Sequence, residues 1–434
     1  MTKRSYASTT SGNAANKKRQ APQRRIVRRY HPFVFSVLRP LCDLLMRLVF
    51  SHKAQRYTPP IDGPFLILAN HTTPQDPIFL GTCFRFPIYY ITSDHIFKWG
   101  FVSKLIRFLV APIPIVKSQT DTQALRSLIA VRDQGGSIGL FPEGNTSFSG
   151  QTGHIPESTA KLCKLLNMPV LLARIEGGYF SVPRWSSRNR KGRITSYVYK
   201  LLRAEEIQSM SLMEIQSEIQ SCLSLNAFSS QREHPVPFLG KQLSEWLELT
   251  LFVCPNCRSP HDMYSRDDSF ICRCCDFSVR YLPTGFFELL ASHSWPQDTG
   301  ALDTVLAWYE WQRNALIDGI NAGNMFDLTG STPIFSDDSQ FLYLAARAAK
   351  NSLLTKGLFT LYADRLEFAG QYVFPMDKIL KMSMHGKMTL QFTTADGKAY
   401  EICTKHMRSA FRYMALYYLL QSRRRGETLG FLGL

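Results

Sequence analysis

The chain has 434 residues, of which 45% are hydrophobic and 20% charged. This length and balance exclude a single small core and a wholly disordered chain, and they predict roughly two to three domains. The net charge of +17 makes polyanions the natural partners, with nucleic acid and an anionic membrane surface as the two candidates.

The charge is unevenly placed. Residues 1–29 hold Lys3, Arg4, Lys17, Lys18, Arg19, Arg24, Arg25, Arg28 and Arg29 and no acid, the first being Asp43. With their Ser, Asn and Gln content they predict a disordered basic arm, each cation worth about 1 kcal/mol near an anionic surface. The apolar stretch 33–50 follows, interrupted by Arg39, Asp43 and Arg47. It does not have the form of a signal peptide. The three charges recur every four residues and so share one helical face. A spanning helix needs about 20 apolar residues with few charges, whereas a helix lying in the membrane interface tolerates a charged stripe. The alternative is a helix packed on the protein's own core, and the basic arm before it favours the membrane.

From about 60 to 200, short apolar runs alternate with helical segments, an α/β pattern. Strands are expected at 65–69, 88–91, 113–116, 137–141, 169–173 and 194–199. A helix should start at Asp76-Pro77, where Pro takes an early helical position. Others are expected at 97–110 and 122–134. Residues 206–250 read as a helical linker with a capping box at Ser211 and Glu214. A cysteine-rich unit spans 251–285. A helix near 303–317, turn-punctuated strands over 352–405 and a closing helix near 406–423 make a C-terminal α+β unit, taken as 300–425. Of that last helix, Met407, Phe411, Met414, Ala415 and Tyr418 form the apolar face, with Arg408 and Arg412 outside it.

Two constellations carry chemistry. In the first, Asn70-His71-Thr-Thr-Pro-Gln-Asp76 lies where a buried strand ends and a helix begins, the place where functional groups of α/β proteins collect. An Asp five residues after a His can fix the imidazole tautomer and stabilise the imidazolium, leaving the other nitrogen as a general base. A structural hydrogen bond is the alternative for such a pair taken alone. Phe141-Pro142-Glu143-Gly144-Asn145-Thr146-Ser147 follows another strand about seventy residues on. Its turn can present backbone N–H groups to a phosphate or hydroxyl, Gly144 allows close approach, and Glu143 can orient an acceptor. No Gly-x-Ser-x-Gly elbow accompanies them, so a covalent acyl-enzyme is not suggested.

In the second, Cys254-Pro-Asn-Cys257 and Cys272-Arg-Cys274-Cys275 are separated by fourteen residues. Paired Cys-x2-Cys turns predict one tetrahedral zinc on Cys254, Cys257, Cys272 and Cys275, with Cys274 spare. Four thiolates leave no open position, so the zinc is structural, and the unit resembles a zinc ribbon.

The order and spacing around the first constellation resemble the glycerolipid acyltransferases of the lysophosphatidic acid acyltransferase type, over about 35–205. Their Asn-His-x4-Asp motif is matched by Asn70, His71 and Asp76, and their Phe-Pro-Glu-Gly motif by residues 141–144 with Ser147. Their strand ending in Arg is matched by one ending in Lys117, and their Pro-Val strand by Pro169-Val170. The resemblance implies transfer of a fatty acyl group from acyl-CoA or acyl-carrier protein to a lysophospholipid hydroxyl. It implies His71 as base, Asp76 as its orienter, and Glu143 and Gly144 shaping the acceptor site. Lys117 replaces an Arg, and Thr146 stands where the family's second phosphate-holding Arg stands. Phosphate recognition is then expected from Lys117 with Arg184 and Arg188, in the basic segment 183–193 that also holds Arg190 and Arg193. That segment reads equally as an exposed loop facing lipid headgroups. The C-terminal unit resembles a PH/GRAM-like module. The whole chain reads as a peripheral, monotopic protein of the cytoplasmic membrane face, with membrane lipids as partners. A nucleic-acid-binding ribbon protein and a non-catalytic lipid adaptor are the competing readings. The charge sits in the arm and around an apolar helix, so nucleic acid is not expected, and the intact His71–Asp76 pair opposes the adaptor.

Overall fold

The computed structural model describes residues 25–93, 104, 108–115, 122–290, 294–345, 351–404, 406 and 409–426. Most of the basic arm, most of the expected helix at 97–110, and Lys117, Met407 and Arg408 lie outside them.

The chain opens on helix α1 (His31–Phe50) and strand β1 (His52–Ala54). Strands β2 (Leu66–Ala69), β3 (Ile88–Ser93), β4 (Ile113–Ile115), β5 (Ser137–Leu140), β6 (Val170–Glu176) and β7 (Ile194–Leu202) join β1 in one sheet. Its order is β1-β7-β6-β2-β5-β3-β4. Only the β6–β7 pairing is antiparallel. Between the strands run α2 (Asp76–Gly81), α3 (Thr122–Asp133), α4 (Ser158–Leu166) and the short α5 (Gly178–Ser181). The central strand β2 is buried at every residue, as an apolar run covered on both faces must be. It is parallel to its neighbour β5, so the residues following both strands emerge at one edge.

Helices α6 (Ala204–Ser209), α7 (Leu212–Leu223) and α8 (Ala227–Glu233) occupy the region read as a linker. Ile207, Ile215, Ile219, Cys222 and Leu223 are buried in the same core as Leu66, Ile138 and Val170. The segment read as a helical linker thus packs an apolar face on the sheet. The Ser211–Glu214 capping box forms as expected.

Helix α1 keeps its apolar face off the protein core, unlike the core-packed alternative. Of its charged stripe Asp43 is buried, accepting from the half-exposed Arg47 at 2.8 Å, with Arg56 at 3.8 Å. His31 is buried beside the Tyr89 hydroxyl at 2.7 Å. Met46 and Phe50 complete the packed side, while Phe33 (72% exposed), Val37, Leu41, Leu44, Leu45 and Leu48 (63%) project outward. No described helix is long and apolar enough to cross a membrane.

The cysteine-rich unit is a small antiparallel sheet in the order β11-β10-β9-β8, made of β8 (Met263–Arg266), β9 (Ser269–Cys272), β10 (Ser278–Tyr281) and β11 (Phe287–Leu289). It packs through Phe270, Phe277 and Tyr281 on Trp185 and on Trp308 of α9 (Val305–Ala322). The C-terminal sheet has seven antiparallel strands: β12 (Phe335–Leu344), β13 (Ser352–Leu361), β14 (Arg365–Phe368), β15 (Tyr372–Pro375), β16 (Ile379–His385), β17 (Thr389–Thr394) and β18 (Ala399–Thr404). Their order is β15-β14-β13-β12-β18-β17-β16. Helix α10 (Ala410–Arg425) covers one face. Arg412, expected on the outer side of that helix, points inward. It donates to Asp337 at 2.6 Å, and Tyr413 donates to the same oxygen at 2.8 Å, so the buried charges neutralise each other.

Candidate active site

His71 lies two residues beyond β2, and Phe141 directly follows β5. The parallel pairing of these strands brings the two motifs together. Asn70 anchors the edge, its side-chain amide donating to and accepting from the backbone of Ile175 on β6 at 2.9 and 2.8 Å.

His71 Nδ1–H donates to Asp76 Oδ2 at 2.9 Å. Asp76 has no exposed surface. Its Oδ2 also accepts the backbone N–H groups of Thr72 (2.5 Å) and Thr73 (3.0 Å), and its Oδ1 accepts both threonine hydroxyls, at 3.1 and 2.8 Å. A buried carboxylate is tolerable only when its oxygens are so satisfied. Because that oxygen is an acceptor, Nδ1 carries the proton and Nε2 is left with its lone pair. Among the described residues Nε2 has no partner, and the ring keeps 19% of its surface. The imidazole lies flat on Phe141 (centroids 4.5 Å apart), which in turn stacks on Tyr90. Thr72 and Thr73 were not singled out from sequence, although two hydroxyls between a His and an Asp are donors at the right distance to hold the acid.

Glu143 does not face an acceptor as expected. One carboxyl oxygen accepts the His71 backbone N–H at 2.6 Å and the other accepts that of Gly153 at 2.7 Å. It ties the two motifs together through the His71 backbone. Burial pushes its pKa up to about 8, against the lowering effect of these two N–H groups. Gly144 sits at φ +69°, where a side chain would be strained, and its N–H closes the turn onto Phe141 O at 3.0 Å. That N–H is therefore already used within the turn.

The basic segment also differs from expectation. Arg184 stacks over Phe148 at 3.8 Å and donates to Thr146 O at 3.0 Å and to Gly386 O, at the β16–β17 hairpin, at 2.8 and 3.2 Å. Arg188 pairs with Glu245 at 2.9 Å, and Arg190 is buried between Trp185 and Tyr281. Both Arg184 and Arg188 thus hold the protein's own parts together, while Ser187, Arg188, Asn189, Lys191 and Arg193 keep exposed surface.

The four predicted cysteines converge. Their sulfurs lie within 4.8 Å of one another, with Cys254–Cys275 at 3.7 Å and Cys257–Cys272 at 3.6 Å. A tetrahedron of about 2.3 Å metal–sulfur bonds has sulfur–sulfur edges of roughly 3.8 Å, so the set fits zinc. Each turn is built alike: Arg258 N–H closes onto Cys254 O and Asp276 N–H onto Cys272 O, with Arg258 and Asp276 both at positive φ. Cys274 is exposed and stands outside the cluster.

Residues 48–175 match the family model described as Acyltransferase. The matched segment contains His71, Asp76, Glu143 and Gly144. Among solved structures, the chain is similar to the crystal structure of PlsC, the 1-acyl-sn-glycerophosphate (LPA) acyltransferase of Thermotoga maritima. The identity is 17% and the TM-score 0.39, over 47% of this chain and 81% of that one. No curated protein matches.

Proposed function

We infer that the protein is a membrane-associated acyltransferase, moving a fatty acyl group from acyl-CoA or acyl-carrier protein to a lysophospholipid hydroxyl. The observation that carries this is the free Nε2 of His71 above a carboxylate that is fully buried and fully hydrogen-bonded. Nε2 removes the proton as the hydroxyl oxygen bonds to the thioester carbonyl carbon. The imidazolium formed is stabilised by Asp76. Collapse of the tetrahedral intermediate breaks the carbon–sulfur bond, and the proton passes to the departing thiolate. Such a base contributes roughly 10²–10⁴-fold in rate.

Membrane contact on the cytoplasmic face is assigned to the outward apolar side of α1, where Phe33, Val37, Leu41, Leu44, Leu45 and Leu48 are exposed together. Zinc held by Cys254, Cys257, Cys272 and Cys275 would supply folding energy to the small β8–β11 sheet and take no part in the chemistry. The C-terminal sheet, with its seven antiparallel strands and closing helix, is read as PH-like. Purified protein with labelled acyl-CoA and a panel of lysolipids, beside His71→Ala, tests the central reading. Acyl-lipid product from the native chain and none from His71→Ala is expected, and equal product from both would refute it.

A further inference from the structure

A cavity of about 580 Å³ opens where the N-terminal segment meets α1, lined by Arg25, Val27, Arg28, Arg29, Pro32 and Gln134. Three of its six lining residues are arginines, and among the described residues none of the three has a carboxylate partner. Gln134 fixes the segment in place: its side-chain oxygen accepts the backbone N–H groups of Ile26 and Val27 at 2.8 and 2.9 Å. Its amide nitrogen has no partner among the described residues. The side chains facing the cavity therefore offer donors and positive charge, with no acid to quench them. The cavity also sits at the positive end of α1, a helix of 20 residues.

Its position is as telling as its chemistry. Pro32 lines it, and the next residue, Phe33, begins the row of outward apolar side chains on α1. A phosphate in the cavity would lie at the level where that apolar face meets a bilayer's headgroups. Guanidinium forks suit an exposed phosphate better than point charges do. From this geometry we propose that Arg25, Arg28 and Arg29 form a binding site for the phosphate of an anionic phospholipid headgroup, seating α1 on the membrane. None of its lining residues belongs to the His71 site, and it does not depend on any catalytic activity.

The full chain is tested by co-sedimentation with vesicles carrying phosphatidate, whose phosphomonoester is exposed, or phosphatidylserine at matched surface potential. Diffuse attraction sees only charge, so a preference measures the site. The native chain binds phosphatidate vesicles roughly tenfold more tightly, the scale of one added charge-assisted hydrogen bond. Arg25→Lys/Arg28→Lys/Arg29→Lys keeps the charge and loses the preference. Lys17→Gln/Lys18→Gln/Arg19→Gln binds both vesicles more weakly and keeps it. No preference in the native chain, or one that survives the lysine variant, overturns the proposal. Release of the protein by millimolar inorganic phosphate at constant ionic strength would assign the site to soluble phosphate and overturn its lipid source. Thermal melting of each variant separates these outcomes from misfolding.

Discussion

Replacing Asp76 by asparagine removes one charge and almost nothing else. With its carbonyl oxygen in the place of Oδ2, the amide still accepts from His71 Nδ1 and from the N–H groups of Thr72 and Thr73. Its NH2 then faces the two threonine hydroxyls, which rotate to accept. Five charge-assisted contacts become neutral ones, while the cost of burying a carboxylate disappears, so the loss of stability is about 1–3 kcal/mol. The rate suffers more. At 2.9 Å and an effective dielectric constant of about 20, the carboxylate–imidazolium attraction is about 6 kcal/mol, or roughly 10⁴ in rate. Solvent at the partly exposed ring returns some of this, so kcat should fall roughly 10²–10⁴-fold with the acceptor KM almost unchanged. Release of free thiol from acyl-CoA at saturating lysolipid measures it, beside circular dichroism to verify folding. A folded Asp76→Asn protein with kcat within about threefold of native would refute the role given to the pair.

Glu143 has a folded-state pKa near 8 against an unfolded 4.5, raised by burial. Its contribution to stability is whole below pH 4.5 and is gone once pH has risen through about 8, a span worth about 4–5 kcal/mol. Glu143→Gln should flatten urea midpoints between about pH 5 and about pH 9, and parallel pH dependences in the two proteins would contradict this. Metal analysis should find zinc in the native chain and none in Cys272→Ser, and chelation should lower the melting temperature in step with zinc release. Leu41→Ser/Leu45→Ser/Leu48→Ser should weaken vesicle binding with little change in melting temperature, because all three side chains already face solvent. Phe148→Ala should cost about 3–5 kcal/mol by opening a cavity beside Phe411 and Arg184, read from urea unfolding.

Much of the first domain was legible because its signals are local. Buried strands such as 65–69 are continuous apolar runs, and His71 and Asp76 are close enough in sequence to meet across one turn. The cysteine turns were legible for the same reason. The misreadings came where sequence distance hides a partner. Glu143 looked like an acceptor ligand because Gly153 and the His71 backbone cannot be seen from its own motif. Arg184 looked free because Gly386 lies far along the chain. On α1 the period was legible and the burial of Asp43 was not: it turns inward beside Arg47 and Arg56, and Arg56 lies beyond the helix.

Phe148 sits five residues past Glu143, yet it is buried in the core of the C-terminal sheet with Phe252 and Phe411. The loop that carries Glu143 is therefore finished by side chains synthesised well after it. At roughly 5–20 residues per second, the wait between Phe148 and Phe411 lasts on the order of tens of seconds. Through that interval α1 has emerged with its apolar face outward, free to find a membrane, while the loop beside His71 still lacks its backing. The order of synthesis thus leaves the outward face of α1 available before the loop beside His71 is complete.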